Sequence, residues 1–209
     1  TSEWVHGEPD MIIEVPPQEI PAGPSAIPYR YVGVDLGLTE DKWLRGSEFL
    51  PSEPTVMHHM FNSVSVPGER NGNILGTQGA EQQNMDYASV SAYVPGGDPD
   101  FYDENTGGLL RAGSTVNLQL HYTPDGTART DRARIGLYFQ GEEPGERMAG
   151  DCACIFPNYW TTIPANNPNF VQTAEITLKN DIMLHTFLPH MHFRGKSMRA
   201  TAIYADGTE

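Results

Sequence analysis

Short stretches in which hydrophobic and polar residues alternate run through most of the chain, and glycine, proline and asparagine separate them. The clearest case is residues 115–122, where every second position is apolar and the positions between are polar. A period of two predicts a β-strand with one face towards a core, and it places His121 on the polar face. Similar stretches predict further strands at residues 29–34, 43–50, 55–61, 87–94, 133–139, 174–178, 182–193 and 199–204.

The residues between these stretches favour turns over helices. The chain of 209 residues contains 21 glycines and 17 prolines, and it has no helical pattern longer than two turns and no internal repeat. We therefore expect an all-β protein of antiparallel strands, built as a β-sandwich or jelly roll. Residues 1–28 are rich in proline and acidic residues, which predicts an extended arm before the first of these strands.

Composition and charge narrow the range of partners. The 13 Lys and Arg residues against 27 Asp and Glu residues give a net charge of −14, which argues against a nucleic-acid partner because phosphate binding depends on cationic side chains. No apolar run approaches the roughly 20 residues of a membrane-spanning helix, so we expect no membrane span.

The chain has two cysteines, Cys152 and Cys154, which are too close for an ordinary disulfide. Two thiols, a strained local bridge, a metal-binding role and an intermolecular role all stay open for them.

Five of the seven histidines form candidate ligand groups on predicted strands: the pair His58 and His59, the single His121, and His190 with His192. Neutral imidazole is the commonest transition-metal ligand. His190 and His192 are two residues apart, so they share one face of a strand and can bind one ion. His58 and His59 are adjacent, so on a regular strand they point to opposite faces, and a shared metal requires a β-bulge or a distorted strand end between them. Each group also has a simpler interpretation, as buried or surface histidines held by hydrogen bonds.

Three segments resemble, in their order and spacing, the copper-ligand motifs of a known family. They are residues 56–60 (VMHHM), 118–122 (LQLHY) and 189–196 (PHMHFRGK). The segments look like the three successive motifs of the type II, ascorbate-dependent copper monooxygenases, which include peptidylglycine α-hydroxylating and dopamine β-monooxygenases. The interval from His59 to His121 and the interval from His121 to His190 are similar to those in that family.

The resemblance covers about residues 28–207, and the run D-x-x-x-I-G-L at residues 131–137 also fits it. The sequence Pro-His-Met-His in the third motif is more similar to that of bacterial members than to that of the animal enzymes. The family implies two jelly rolls in tandem, each with one copper. On that basis residues 29–172 form the first jelly-roll domain, and residues 173–209 form the opening strands of a truncated second one. We expect a continuation of the chain or a partner chain to cover residues 173–209.

The resemblance also implies the metal ligands. His58, His59 and His121 would bind the electron-transfer copper, and His190 and His192 would supply two ligands to the copper that binds O₂. The third ligand of that second site is, in the family, a methionine on a later strand, beyond the last residue of this chain. The motifs assign no catalytic residue and no substrate-binding residue.

Two functions from different classes follow. The first is a copper-dependent monooxygenase that hydroxylates a C–H bond of a small-molecule or peptide substrate with O₂ and a one-electron reductant such as ascorbate. The second is a non-catalytic copper-binding or structural jelly-roll module of a larger secreted assembly, because a fold and its ligands can persist without turnover. The chemistry of copper with O₂, and the usual location of the family that the motifs resemble, lead us to expect a secreted or periplasmic protein.

Overall fold

A computed structural model of the chain describes residues 3–23, 27–67, 90, 92–148, 162–175, 177, 181, 183, 184, 191 and 194–209. The chain divides into two units, Thr1–Thr177 and Leu178–Glu209. Within the described residues the secondary structure consists of strands without helices: β1 (Met11–Glu14), β2 (Gln18–Ile20), β3 (Arg30–Asp35), β4 (Lys42–Leu50), β5 (Met57–Ser65), β6 (Asp100–Phe101), β7 (Thr106–Leu110), β8 (Thr115–Tyr122), β9 (Arg129–Asp131), β10 (Arg134–Gln140) and β11 (Glu146–Arg147). None of the described segments is therefore a helix of the length and apolar character that crossing a bilayer requires.

The strands of the first unit form two sheets and one additional strand pair. The larger sheet has six strands in the order β1-β10-β4-β7-β11, and β6 pairs with β4 beside that path. The smaller sheet has three strands in the order β3-β8-β5, and β2 pairs with β9. All of these pairings are antiparallel except that of β11 with β7. The all-β, antiparallel class predicted from the sequence is confirmed, whereas the jelly-roll connectivity stays a prediction.

One hydrophobic core joins the two sheets. Both sheets contribute fully buried side chains to it, among them Leu44, Ile135 and Leu137 from the larger sheet and Leu118, Leu120 and Tyr122 from the smaller one. A core shared between the inner faces of two sheets is the arrangement of a β-sandwich. The period-two pattern of β8 is confirmed, because its four apolar positions are fully buried on one face and His121 lies on the other, where Gln119 is also buried.

The extended arm at residues 1–28 contributes strands to this sandwich. β1 pairs with β10 along the edge of the larger sheet, and β2 pairs with β9. Before β1, the Trp4 side chain is 3% exposed and packs close to Gly136. A Cβ atom at Gly136 would lie 2.6 Å from Cγ of Pro9 and 3.0 Å from the Trp4 ring, so glycine is what allows the arm to approach this closely.

In the second unit, residues 204–208 form a turn. Gly207 has a φ of 83°, and the Tyr204 amide donates a hydrogen bond of 2.9 Å to the carbonyl of Thr208. The strand predicted at residues 199–204 is wrong, because a strand needs a hydrogen-bonded neighbour and no described segment pairs with these residues. The strand predicted at residues 174–178 is likewise not formed at its described positions. Most of the strand predicted at residues 182–193 lies outside the described residues.

Candidate metal centre

A β-bulge in β5 lies opposite His121 of β8. Met57 pairs with Tyr122, but the next pair along the ladder is His59 with His121, so His58 is an extra residue in β5. Two residues of one strand opposite one residue of its neighbour define a β-bulge, and the three residues at this bulge are all histidines. The bulge that the sequence requires for a metal shared by His58 and His59 is therefore present.

The burial of the neighbouring residues shows where these side chains point. Met57 is 2% exposed and Met60 is fully buried, so two positions on the core side of β5 are three residues apart instead of two. Both residues between them consequently lie on the outer face of the three-stranded sheet. His121 lies between two fully buried core residues of β8 and is on the same outer face.

The three imidazole rings are in mutual contact. Their centroids are 5.1 Å apart for His58 and His59, 5.0 Å for His58 and His121, and 4.8 Å for His59 and His121. One ring nitrogen of each histidine lies within 4.8 Å of those of the other two. Three nitrogens bound to one ion at about 2.0–2.1 Å lie about 3.3–3.6 Å from one another, so ring rotations that shorten their separations by up to about 1.5 Å close the cluster around one ion. The residues present therefore fit a metal ion.

Exposure differs among the three rings. His59 is 7% exposed, His121 is half-buried and His58 is exposed. Two imidazoles are thus held by the surrounding protein, and the third lies at the solvent boundary. Three imidazole ligands suit several divalent transition metals, including copper and zinc, and they leave a coordination position for water or another ligand.

Aromatic rings border the cluster. The ring of Tyr29, the residue immediately before β3, lies 4.5 Å from that of His121 and 5.8 Å from that of His59. The ring of Phe61 lies 4.8 Å from that of His59. These contacts restrict the rotation of the two more buried imidazoles. Tyr29 was not predicted from the sequence, because its position beside His121 depends on the pairing of β3 with β8.

Next to His121, the side chain of Tyr122 points into the core and donates a hydrogen bond of 2.8 Å from its hydroxyl to Oδ2 of Asp131. Burial raises the pKa of the Tyr122 phenol far above its ordinary value, and the charge of Asp131 acts in the same direction. The phenol therefore stays protonated and keeps donating. In the sequence, Asp131 stood out only as the first residue of a motif and had no predicted role.

The remaining predicted site residues lie outside the described residues. These are His190 and His192, assigned by resemblance to a second copper, and Cys152 and Cys154. A second metal site accordingly stays a prediction.

Comparison of the chain with known protein families, with curated proteins and with solved structures finds no match. Support for a function therefore comes from the chain's own residues and from the resemblance of its three motifs.

Proposed function

We propose that this chain is part of a copper-dependent monooxygenase. Its reaction would insert one atom of O₂ into a C–H bond of the substrate and release the other as water, taking two electrons and two protons from a reductant such as ascorbate. The observation that supports this proposal is the meeting of His58, His59 and His121 at one bulge. These are the residues that the motif resemblance assigns to the electron-transfer copper, and they come from two segments that are far apart in the chain.

The chain's own residues would have distinct tasks at this site. Copper, when bound, supplies one-electron redox chemistry through its Cu(II) and Cu(I) states. His59 and His121 would hold the ion against the sheet, since their rings contact Tyr29 and are less exposed than that of His58. His58 is exposed and would give an external one-electron reductant a short path to the ion.

The second half of the proposal concerns O₂. His190 and His192 would supply two ligands to a second copper, in a second jelly-roll domain that begins at residue 173. Secreted or periplasmic location is part of the same proposal, because ascorbate-dependent copper chemistry of this family takes place outside the cytosol.

One observation favours the alternative of a non-catalytic metal-binding module. The cluster of three imidazoles lies entirely on two neighbouring strands of the first unit. A metal can therefore bind there without any contribution from the second pair of histidines.

The deciding experiment measures bound copper per chain and O₂ uptake with ascorbate. We expect the double variant His58→Ala with His121→Ala to lose one copper per chain. His6→Ala is the matched control, because His6 is exposed and its ring stacks on Phe101 at 3.8 Å, away from the cluster. Unchanged copper content in the double variant would refute the assignment of the first site. Copper binding without ascorbate-dependent O₂ uptake, measured on the longer protein of which this chain is proposed to be a part, would favour the binding module.

A further inference from the structure

A buried carboxylate lies where the two histidine-bearing strands meet. Asp131, the last residue of β9, is fully buried. Its Oδ1 accepts hydrogen bonds from the amide and hydroxyl of Ser52, at 2.8 and 3.0 Å, and from the amide of Glu53 at 3.1 Å. Its Oδ2 accepts the hydrogen bond of 2.8 Å from the Tyr122 hydroxyl. Four donors from two separate segments therefore converge on one side chain.

The first of these segments leads directly into the bulge. The carbonyl of Glu53 accepts hydrogen bonds of 3.2 Å from the amides of Val56 and Met57, which closes the turn before β5. His58 is the next residue along the chain. By holding the amides of Ser52 and Glu53, Asp131 fixes the start of the turn from which His58 and His59 emerge.

The second segment carries the third histidine. Tyr122 follows His121 directly, and its Cα is paired with that of Met57 across the ladder. The amide of Thr123 then donates a hydrogen bond of 2.8 Å to the carbonyl of Val56, which ties the end of β8 to the turn before β5. Asp131 and the two strands thus form one closed hydrogen-bonded arrangement directly beside the bulge.

We propose that Asp131 is a positioning residue for the imidazole cluster, acting on His58 and His59 through the turn at residues 52–57 and on His121 through Tyr122. The inference rests on the proposed metal-binding function. A metal site tolerates displacements of only about 0.5 Å in its ligands, so an anchor common to both strands keeps the three nitrogens at binding distance. Loss of the anchor loosens the bulge relative to β8 and weakens metal binding without removing any ligand.

The test uses the whole chain with Co²⁺ alone as the probe and compares two conservative variants. Tyr122→Phe removes the hydroxyl that binds Asp131. Tyr138→Phe is the matched control, because Tyr138 is also buried and its hydroxyl also donates a single hydrogen bond of 2.8 Å, to the carbonyl of Gly7 beside the six-stranded sheet. Measurements are the Kd of Co²⁺, the visible spectrum of the bound ion and the thermal midpoint of the metal-free chain.

We expect both variants to lower the thermal midpoint by similar amounts. Only Tyr122→Phe should raise the Kd of Co²⁺, by about tenfold, the lower end of the range for groups that orient metal ligands. Asp131→Asn keeps a carbonyl acceptor for the amides of Ser52 and Glu53, so it should retain tighter binding than Asp131→Ala. If Asp131→Ala does not fold, Tyr122→Phe decides the question.

The outcomes separate this inference from the function on which it rests. A Tyr122→Phe chain that loses thermal stability but binds Co²⁺ within about twofold of the unaltered chain overturns the positioning role and leaves the metal site intact. An unaltered chain that binds no Co²⁺ overturns the metal site itself.

Discussion

Deleting His58 tests the bulge, because it removes the extra residue together with its imidazole. After the deletion, Met57, His59 and Met60 become consecutive, and their order of core, outer and core side restores regular strand alternation. His58 is exposed and no core side chain changes its face. We therefore expect the deletion to change the free energy of unfolding by less than about 1 kcal/mol.

Deletion of Phe61 in the same strand provides the contrast. There is no bulge at Phe61, so its removal shifts one part of β5 by one position and turns either Met60 or Val64 away from the core. Removing a fully buried methionine from a core costs about 2–5 kcal/mol. The two deletions remove one residue each from the same strand, yet their effects on stability should differ by several kcal/mol.

Urea denaturation of the metal-free chains measures this difference, and a Co²⁺ or Cu²⁺ titration measures the effect on binding. Deletion of His58 and the substitution His58→Ala should both raise the Kd of the metal by at least about tenfold, because both leave only two imidazoles. Removal of a group that merely orients a ligand already weakens binding by about tenfold, and removal of the ligand itself should weaken it at least as much. The bulge would be refuted if deleting His58 destabilised the chain as much as deleting Phe61. The ligand role of His58 would be refuted if either change left the Kd within about twofold.

Two further predictions concern the arm and a buried phenol. Trp4→Ala should lower the free energy of unfolding in urea by about 3–5 kcal/mol, since the ring is 3% exposed, whereas Val5→Ala, at a side chain 69% exposed, should change it by less than about 0.5 kcal/mol. Equal, small effects would show that the arm is not docked on the sheet. Burial and the charge of Glu48 raise the pKa of Tyr138 from 10.0 to about 12. Above about pH 10 the unfolded chain therefore loses this proton while the folded chain keeps it. The free energy of unfolding should fall as the pH rises from 10 towards 12, by no more than about 1.4 kcal/mol per pH unit. Tyr138→Phe should remove this part of the alkaline decline, and identical pH profiles for both chains would contradict it.

The regular parts of the fold were predictable because each depends on local alternation. Residues 115–122 were predicted as a strand, and β8 has those bounds, since four apolar positions at period two can be buried only on one face of a strand. The segment 199–204 was predicted as a strand as well, but no strand pairs with it among the described residues. The alternation of apolar and polar residues alone does not determine whether a partner strand is present.

The histidine cluster was predictable only in part. The sequence indicated that His58 and His59 require a bulge, and the spacing of Met57 and Met60, with two polar residues between them, is a further sequence signal for it. Tyr29 and Asp131 gave no such signal. The place of Tyr29 depends on the pairing of β3 with β8, and that of Asp131 on its hydrogen bonds to Ser52 and Glu53; both join residues far apart in the chain.

The same long-range pairing couples metal binding to folding. His121 and His59 are distant in the chain and are brought together by the ladder between β5 and β8, and that ladder is held in place by the burial of Leu118 and Leu120 in the core. The entropy lost in bringing the imidazoles together is therefore offset by the core and does not reduce the affinity for the ion. A metal that binds only the folded chain in turn stabilises it by RT ln(1 + [L]/Kd). A substitution in the core that lowers the stability of the fold should therefore lower the apparent affinity for the metal, and a substitution in the cluster that raises Kd should lower the stability of the metal-bound chain.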